Sequence, residues 1–100
     1  MREVSLPQRR RAIYDAVCNL HARSLEGKRI DSGAAWMVMQ RLFPGISKIE
    51  FLQAAKTFSR VTAIICAYAE DGEVISTPEI EDEIESVIGA YARGEFVVEH

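Results

Sequence analysis

The sequence contains few of the residues on which catalytic and metal sites depend. Among 100 residues there are two histidines, His21 and His100, and two cysteines, Cys18 and Cys66. A catalytic site needs a nucleophile, a base and an orienting group in one place, and a zinc site needs about four ligands. The six glycines are scattered and form no phosphate-binding loop. We therefore predict a protein that is not an enzyme and that holds no metal and no cofactor.

Long apolar runs are also missing. No stretch approaches the roughly 18 consecutive apolar residues of a membrane-spanning helix, so we expect no membrane partner. Residues 1–5 are not followed by the apolar segment of a secretory leader, and the expected location is therefore the cytoplasm. In that compartment Cys18 and Cys66 are expected to stay reduced. Both fall in helix-patterned stretches, and we interpret both as small buried hydrophobic side chains.

What the sequence does contain is a regular series of helix signals. Ser5 and Pro7 predict a first helix that ends near Leu25, and Asp31 or Ser32 can cap a second helix that runs through Phe43. With 48% hydrophobic residues, a chain of this length supports one core and one domain. We treat residues 1–100 as a single helical domain.

Two further helices follow the Pro44–Gly45 break. Ser47 and Glu50 have the spacing of a capping box, which predicts a third helix that continues to about Ala69. Thr77 followed by Pro78 predicts the start of a fourth, which Gly94 ends. The predicted fold class is all-α with four helices, and residues 74–76 and 96–98 are the two segments that could add a minimal β ribbon.

Apolar spacing indicates which side of each helix faces the core. The predicted stripes comprise Ile13, Val17 and Leu20; Trp36, Met39, Leu42 and Phe43; Phe51, Leu52, Ala55, Phe58, Val61, Ile65 and Tyr68; and Ile80, Ile84, Val87, Ile88 and Tyr91. From residue 61 to 69 the third helix is apolar on almost every side, which predicts the most buried segment of the fold.

Charge is divided unevenly along the chain. Residues 1–60 carry eleven Lys/Arg and five Asp/Glu, whereas residues 61–100 carry one and ten, within a net charge of −3. Such asymmetry favours an interaction role, provided that the fold keeps the two signs on separate surfaces. If opposite charges instead pair with each other, the asymmetry is only structural.

Separate charged surfaces would guide association with another protein. We therefore interpret the chain as a non-enzymatic regulator or inhibitor that occupies a partner's surface, including the surface of a nucleic-acid-handling complex. A second copy of the chain is another candidate partner. The candidate basic surface comprises Arg9, Arg10, Arg11, Lys28 and Arg29. The candidate acidic surface comprises Glu79, Glu81, Asp82, Glu83 and Glu85.

The alternative is a helix-turn-helix transcriptional regulator that binds DNA. The second helix, the tight turn and the third helix match the outline of that motif. The side chains that would face the groove are Ser47, Lys48, Gln53, Lys56 and Thr57. Against this alternative stand an isoelectric point of about 5.4 and a third helix much longer than a usual recognition helix.

Overall fold

The computed structural model describes residues 5–25, 31–69 and 77–95. These residues form α1 (Leu6–Leu25), α2 (Ser32–Leu42), α3 (Lys48–Tyr68) and α4 (Pro78–Ala92). The prediction of a small all-α domain with four helices is confirmed. The described residues contain no strand. Segments 74–76 and 96–98, which we considered for a β ribbon, lie outside them. No helix in the described ranges is both long enough and apolar enough to cross a membrane.

The helices begin where polar side chains satisfy the first backbone N–H groups. At α3 the Ser47 hydroxyl accepts from the Glu50 N–H at 3.1 Å, and the Glu50 carboxylate accepts from the Ser47 N–H at 3.1 Å. This reciprocal pair is the capping box that the sequence predicts. Asp31 and Thr77 cap α2 and α4 without the reciprocal bond: their side-chain oxygens accept from the N–H groups of Ala34 and Ile80.

Contacts between helices fix their directions. Arg9 lies beside Glu50 near the starts of α1 and α3, and the rings of His21 and Phe58 meet further along the same two helices. Helices α1 and α3 therefore run in the same general direction. Helix α4 runs the opposite way, because its last residue, Ala92, lies against the first turns of α1. The most extensive packing is that of α3 against α4 and α1.

The core lies among all four helices. Ile13 on α1 and Met39 on α2 are fully buried, and Ile80 and Tyr91 on α4 are 5% and 2% exposed. These positions belong to the predicted apolar stripes. Thr57 on α3 is also fully buried, and its hydroxyl donates to the backbone carbonyl of Gln53 at 2.8 Å. That local hydrogen bond lets a polar side chain lie in an apolar interior.

The prediction that residues 61–69 form the most buried segment is wrong, although Val61 itself is buried. Ala63, Cys66 and Ala67 are exposed, and Tyr68 is 46% exposed. The core of the described residues lies on one side of α3, so apolar residues on its other side remain at the surface. Cys66 is consequently an exposed thiol rather than a buried one. Leu42 and Leu52, also predicted in the core, are 58% and 54% exposed.

Candidate protein-binding surface

Arg9 contributes to holding α1 against α3. Its Nε donates to Glu50 Oε2 at 2.9 Å, and both side chains are about one-third exposed. The hydrogen bond from Arg9 lowers the pKa of the Glu50 carboxyl. Glu50 also closes the capping box of α3. One carboxylate therefore serves both the start of α3 and its contact with α1.

Arg10 joins α1 to the end of α4 through both its side chain and its backbone. Its guanidinium donates to the carbonyl of Ala92 at 3.0 Å, one of the last carbonyls of α4, where a positive charge also complements the helix dipole. In return, the hydroxyl of Tyr91 donates to the backbone carbonyl of Arg10 at 2.9 Å. Burial raises the pKa of Tyr91 to about 12, so this hydroxyl remains a donor at neutral pH.

Arg11 forms the contact that joins the two predicted charged surfaces. Its guanidinium lies 2.7 Å from Glu85 Oε1 on α4. A cation from the basic half of the sequence is thus paired with an anion from the acidic half. The three arginines occupy the first turns of α1, where the helix dipole disfavours them, and their contacts with α3 and α4 explain that placement. At the Arg11–Glu85 contact the separation of charge along the chain is therefore not preserved in space, and the asymmetry by itself is weak support for an electrostatically guided partner.

The remaining residues of the two charged surfaces are placed as follows. Lys28 and Arg29 lie outside the described residues. Glu79, Glu81, Asp82 and Glu83 are exposed on α4, and the hydroxyl of Tyr68 donates to Glu83 Oε2 at 2.9 Å. The described part of the chain has no cluster of His, Cys, Asp and Glu that could hold a metal ion.

The five side chains proposed to face DNA do not share one surface. Thr57 is fully buried, because it lies on the side of α3 that packs against the other helices. Its predicted position in a DNA groove is therefore wrong. Gln53 is half-buried, and the hydroxyl of Ser47 is used in the capping box. Lys48 and Lys56 are exposed. The outline of helix, turn and helix is present, but only part of the side-chain set is at the surface.

Cys18 and His21, which lie three residues apart on α1 and could form a nucleophile–base pair, have different surroundings. The thiol of Cys18 is hydrogen-bonded with the Tyr14 hydroxyl, and burial raises the pKa of the thiol. The His21 ring packs on Phe58 with the ring centroids 4.7 Å apart. A protonated thiol is a weak nucleophile, and the His21 ring packs against Phe58 rather than against the thiol. Neither contact favours nucleophilic chemistry.

An apolar cleft lies between α2 and α3. The rings of Trp36 and Phe51 lie 5.7 Å apart between centroids, and with Leu52 and the stem of Lys48 they line an open space of about 180 Å³. Leu52 is 54% exposed and the neighbouring Ile49 is 67% exposed. We call the space lined by Trp36, Lys48, Phe51 and Leu52 the α2–α3 cleft. Bulky apolar side chains thus lie at the surface of two helices whose N-termini are capped by Asp31 and Ser47.

One line of exposed residues along α3, which shares Leu52 with the cleft, is apolar or small at every position except Lys56. The positions concerned are Ile49, Leu52, Lys56, Ser59, Ala63 and Cys66, all of which are exposed. We call these six residues the outer face of α3. Within the described residues, no other helix covers them.

Sequence reasoning missed this surface because it assigned Leu52 and the second half of α3 to the core, and because Trp36 both packs against the core, as predicted, and lines the cleft. An apolar residue gives the same signal whether it faces a core or a partner. One signal could have distinguished a core-facing residue from a surface residue. Residues 61–69 are apolar on almost every side of α3, which is more apolar surface than the other three helices can cover.

Comparison of the chain with protein-family models, with curated proteins and with solved structures found no match.

Proposed function

We propose that this chain is a non-enzymatic regulator or inhibitor that binds another protein and acts by occupying that protein's surface. The observation that supports the proposal best is the α2–α3 cleft, where two aromatic rings and Leu52 are partly open to solvent. Aromatic side chains in desolvated pockets are typical centres of binding energy in protein interfaces.

The dimensions of the cleft suit one large side chain of a partner. Its space of about 180 Å³ is comparable with the roughly 150 Å³ apolar cavity that accommodates benzene. Trp36 and Phe51 supply an apolar floor, and the ammonium group of Lys48 lies at an exposed position on the rim. An apolar anchor with polar surroundings is the usual anatomy of an interface.

The cleft replaces the arginine cluster as the main binding element in this proposal. Arg9, Arg10 and Arg11 each contact another helix of the same chain, so using them for a partner would cost those contacts. The acidic positions Glu79 and Asp82 are exposed and remain the alternative protein-binding surface.

The test compares retention of host proteins on immobilised wild-type chain and on three variants. Trp36→Ala and Lys48→Glu alter the cleft, and Glu79→Gln combined with Asp82→Asn alters the acidic face as a matched control. We expect a host protein that is retained by wild type and by the control but lost with both cleft variants. Equal retention on all variants, or loss only with the acidic-face variant, would exclude the cleft as the binding site.

A parallel titration with random-sequence duplex DNA tests the transcriptional alternative. Trp36 is the sole tryptophan and lies next to the candidate recognition helix, so its fluorescence reports binding near α3. We expect no change at low salt. Binding that weakens steeply as salt is raised, as phosphate contacts require, would instead favour the DNA-binding function over the proposed one.

A further inference from the structure

The outer face of α3 has the residue spacing of a coiled-coil seam. Its six members are separated by three, four, three, four and three residues, and all six are exposed. This is the alternation of the two core positions of a heptad repeat, sustained from residue 49 to residue 66, or about two and a half heptads. A seam of this kind is covered when a second helix packs along it.

The order of side-chain sizes along the seam indicates which helix fits. Its first two residues, Ile49 and Leu52, are bulky, whereas its last two, Ala63 and Cys66, are small. The spacing is the same in both directions, so two antiparallel copies place Ile49 opposite Cys66 and Leu52 opposite Ala63. Each large side chain then meets a small one, as close packing requires.

Charge also favours the antiparallel direction. An antiparallel pair places Lys56 opposite Ser59, whose hydroxyl can accept a hydrogen bond, whereas a parallel pair would place Lys56 opposite Lys56. The far end of α3 lies beside acidic residues of α4, as the contact between Tyr68 and Glu83 shows. An antiparallel copy therefore brings its Lys48 end towards the acidic end of its partner.

From this spacing, size order and charge we infer that the occupant of the outer face is a second copy of this chain, bound antiparallel along α3. The inference goes beyond the proposed function and can hold without it, although Leu52 belongs both to the cleft and to the seam. It names one partner for that face and gives the register of the contact. Residues 49 and 66 of the two copies form the end layers, and residues 56 and 59 form the central layers.

Sedimentation equilibrium of the full chain over a wide concentration range tests the pairing. We expect a reversible dimer, and we expect Leu52→Glu to raise its dissociation constant by about 100-fold or more, because each dimer contains the altered layer twice. Met37→Glu is the matched control: Met37 is 59% exposed on α2, and its replacement should leave the dissociation constant unchanged. A wild-type chain that stays monomeric, or an equal effect of both variants, overturns the inference.

Disulfide trapping tests the register. In the inferred dimer, Cys66 of the two copies lie about 25 Å apart, given a helical rise of about 1.5 Å per residue, so mild oxidation should leave wild type unlinked. Ile49→Cys should give a linked dimer through Cys66, since bridged Cα atoms lie within about 7 Å, and adding Cys66→Ser should abolish the link. Linking of wild type through Cys66, or absence of linking in Ile49→Cys, overturns the antiparallel register. Circular dichroism of each variant confirms that the helices are intact.

These outcomes are distinct from those of the proposed function. A monomer that still retains a host protein through Trp36 overturns the self-pairing and leaves the proposed function. A dimer that retains no host protein supports the self-pairing and overturns binding to a different protein.

Discussion

If Arg9, Arg10 and Arg11 hold the helices together, replacing each of them by alanine should lower the free energy of unfolding by a different amount. Arg10→Ala removes a charge-assisted hydrogen bond to Ala92, a loss of about 1.5–3 kcal/mol, together with a favourable charge at the end of α4 worth about 0.3–1 kcal/mol. Because Arg10 is only half-buried, water replaces part of the lost hydrogen bond and charge interaction. We therefore expect the free energy of unfolding to fall by about 2 kcal/mol. Arg11→Ala should cost about 0.2–1 kcal/mol, the range for exposed ion pairs, since its side chain is 45% exposed and that of Glu85 64%.

The assay is equilibrium unfolding in urea, followed by circular dichroism at a low protein concentration that keeps the chain monomeric. With a denaturant slope of about 1.5 kcal/mol/M, the loss at Arg10 shifts the midpoint by about 1.3 M. Arg9→Ala should fall between the other two variants. Lys56→Ala is the matched control because it removes the same charge from an exposed position on α3. Equal stability of all four variants would show that these contacts do not stabilise the fold, and the arginines would again be candidates for partner binding.

Three further predictions concern titration and reactivity. The lowered pKa of Glu50 contributes stability that is present above the unfolded-state value of about 4.3 and is lost as pH falls through the folded-state value. Glu50→Gln should therefore flatten the pH dependence of the urea midpoint below about pH 5, and an unchanged slope would contradict this. The raised pKa of Tyr91 contributes stability that is fully present below about pH 10 and lost as pH rises towards 12. Tyr91→Phe should lower the free energy of unfolding by about 1 kcal/mol at pH 7 and should shift the pH midpoint of alkaline unfolding. The absorbance of ionised tyrosine, followed as pH is raised, measures that midpoint. At a low protein concentration that keeps the chain monomeric, a thiol reagent should modify Cys66 well before Cys18, whose thiol is half-buried with a raised pKa; equal rates would place Cys18 at the surface.

Helix boundaries were predictable because their signals are local. Ser47 and Glu50 are three residues apart, and their two hydrogen bonds join neighbouring residues of a single turn. Thr77 and Pro78 determine the start of α4 in the same way. Each of these signals involves a few neighbouring residues, so the sequence contains all the necessary information.

The surfaces were less predictable because they depend on which elements meet. Thr57 was assigned to a DNA-facing surface from its position in α3, yet packing against the other helices buries it completely. Cys66 was assigned to the core from its apolar surroundings, yet it is exposed. Arg11 and Glu85 are 74 residues apart, and their pairing depends on the relative placement of α1 and α4, which no local pattern specifies.

The double use of Glu50 has a consequence for folding cooperativity. The cap of α3 is a local structure that a peptide could form alone, but here its carboxylate is also held by Arg9 from a helix 41 residues earlier. Initiation of α3 is therefore strengthened only once α1 has docked. A fragment that begins at residue 44 should retain the cap and yet fray more at its first turn than the intact chain does, so the start of this helix reports on assembly of the whole domain.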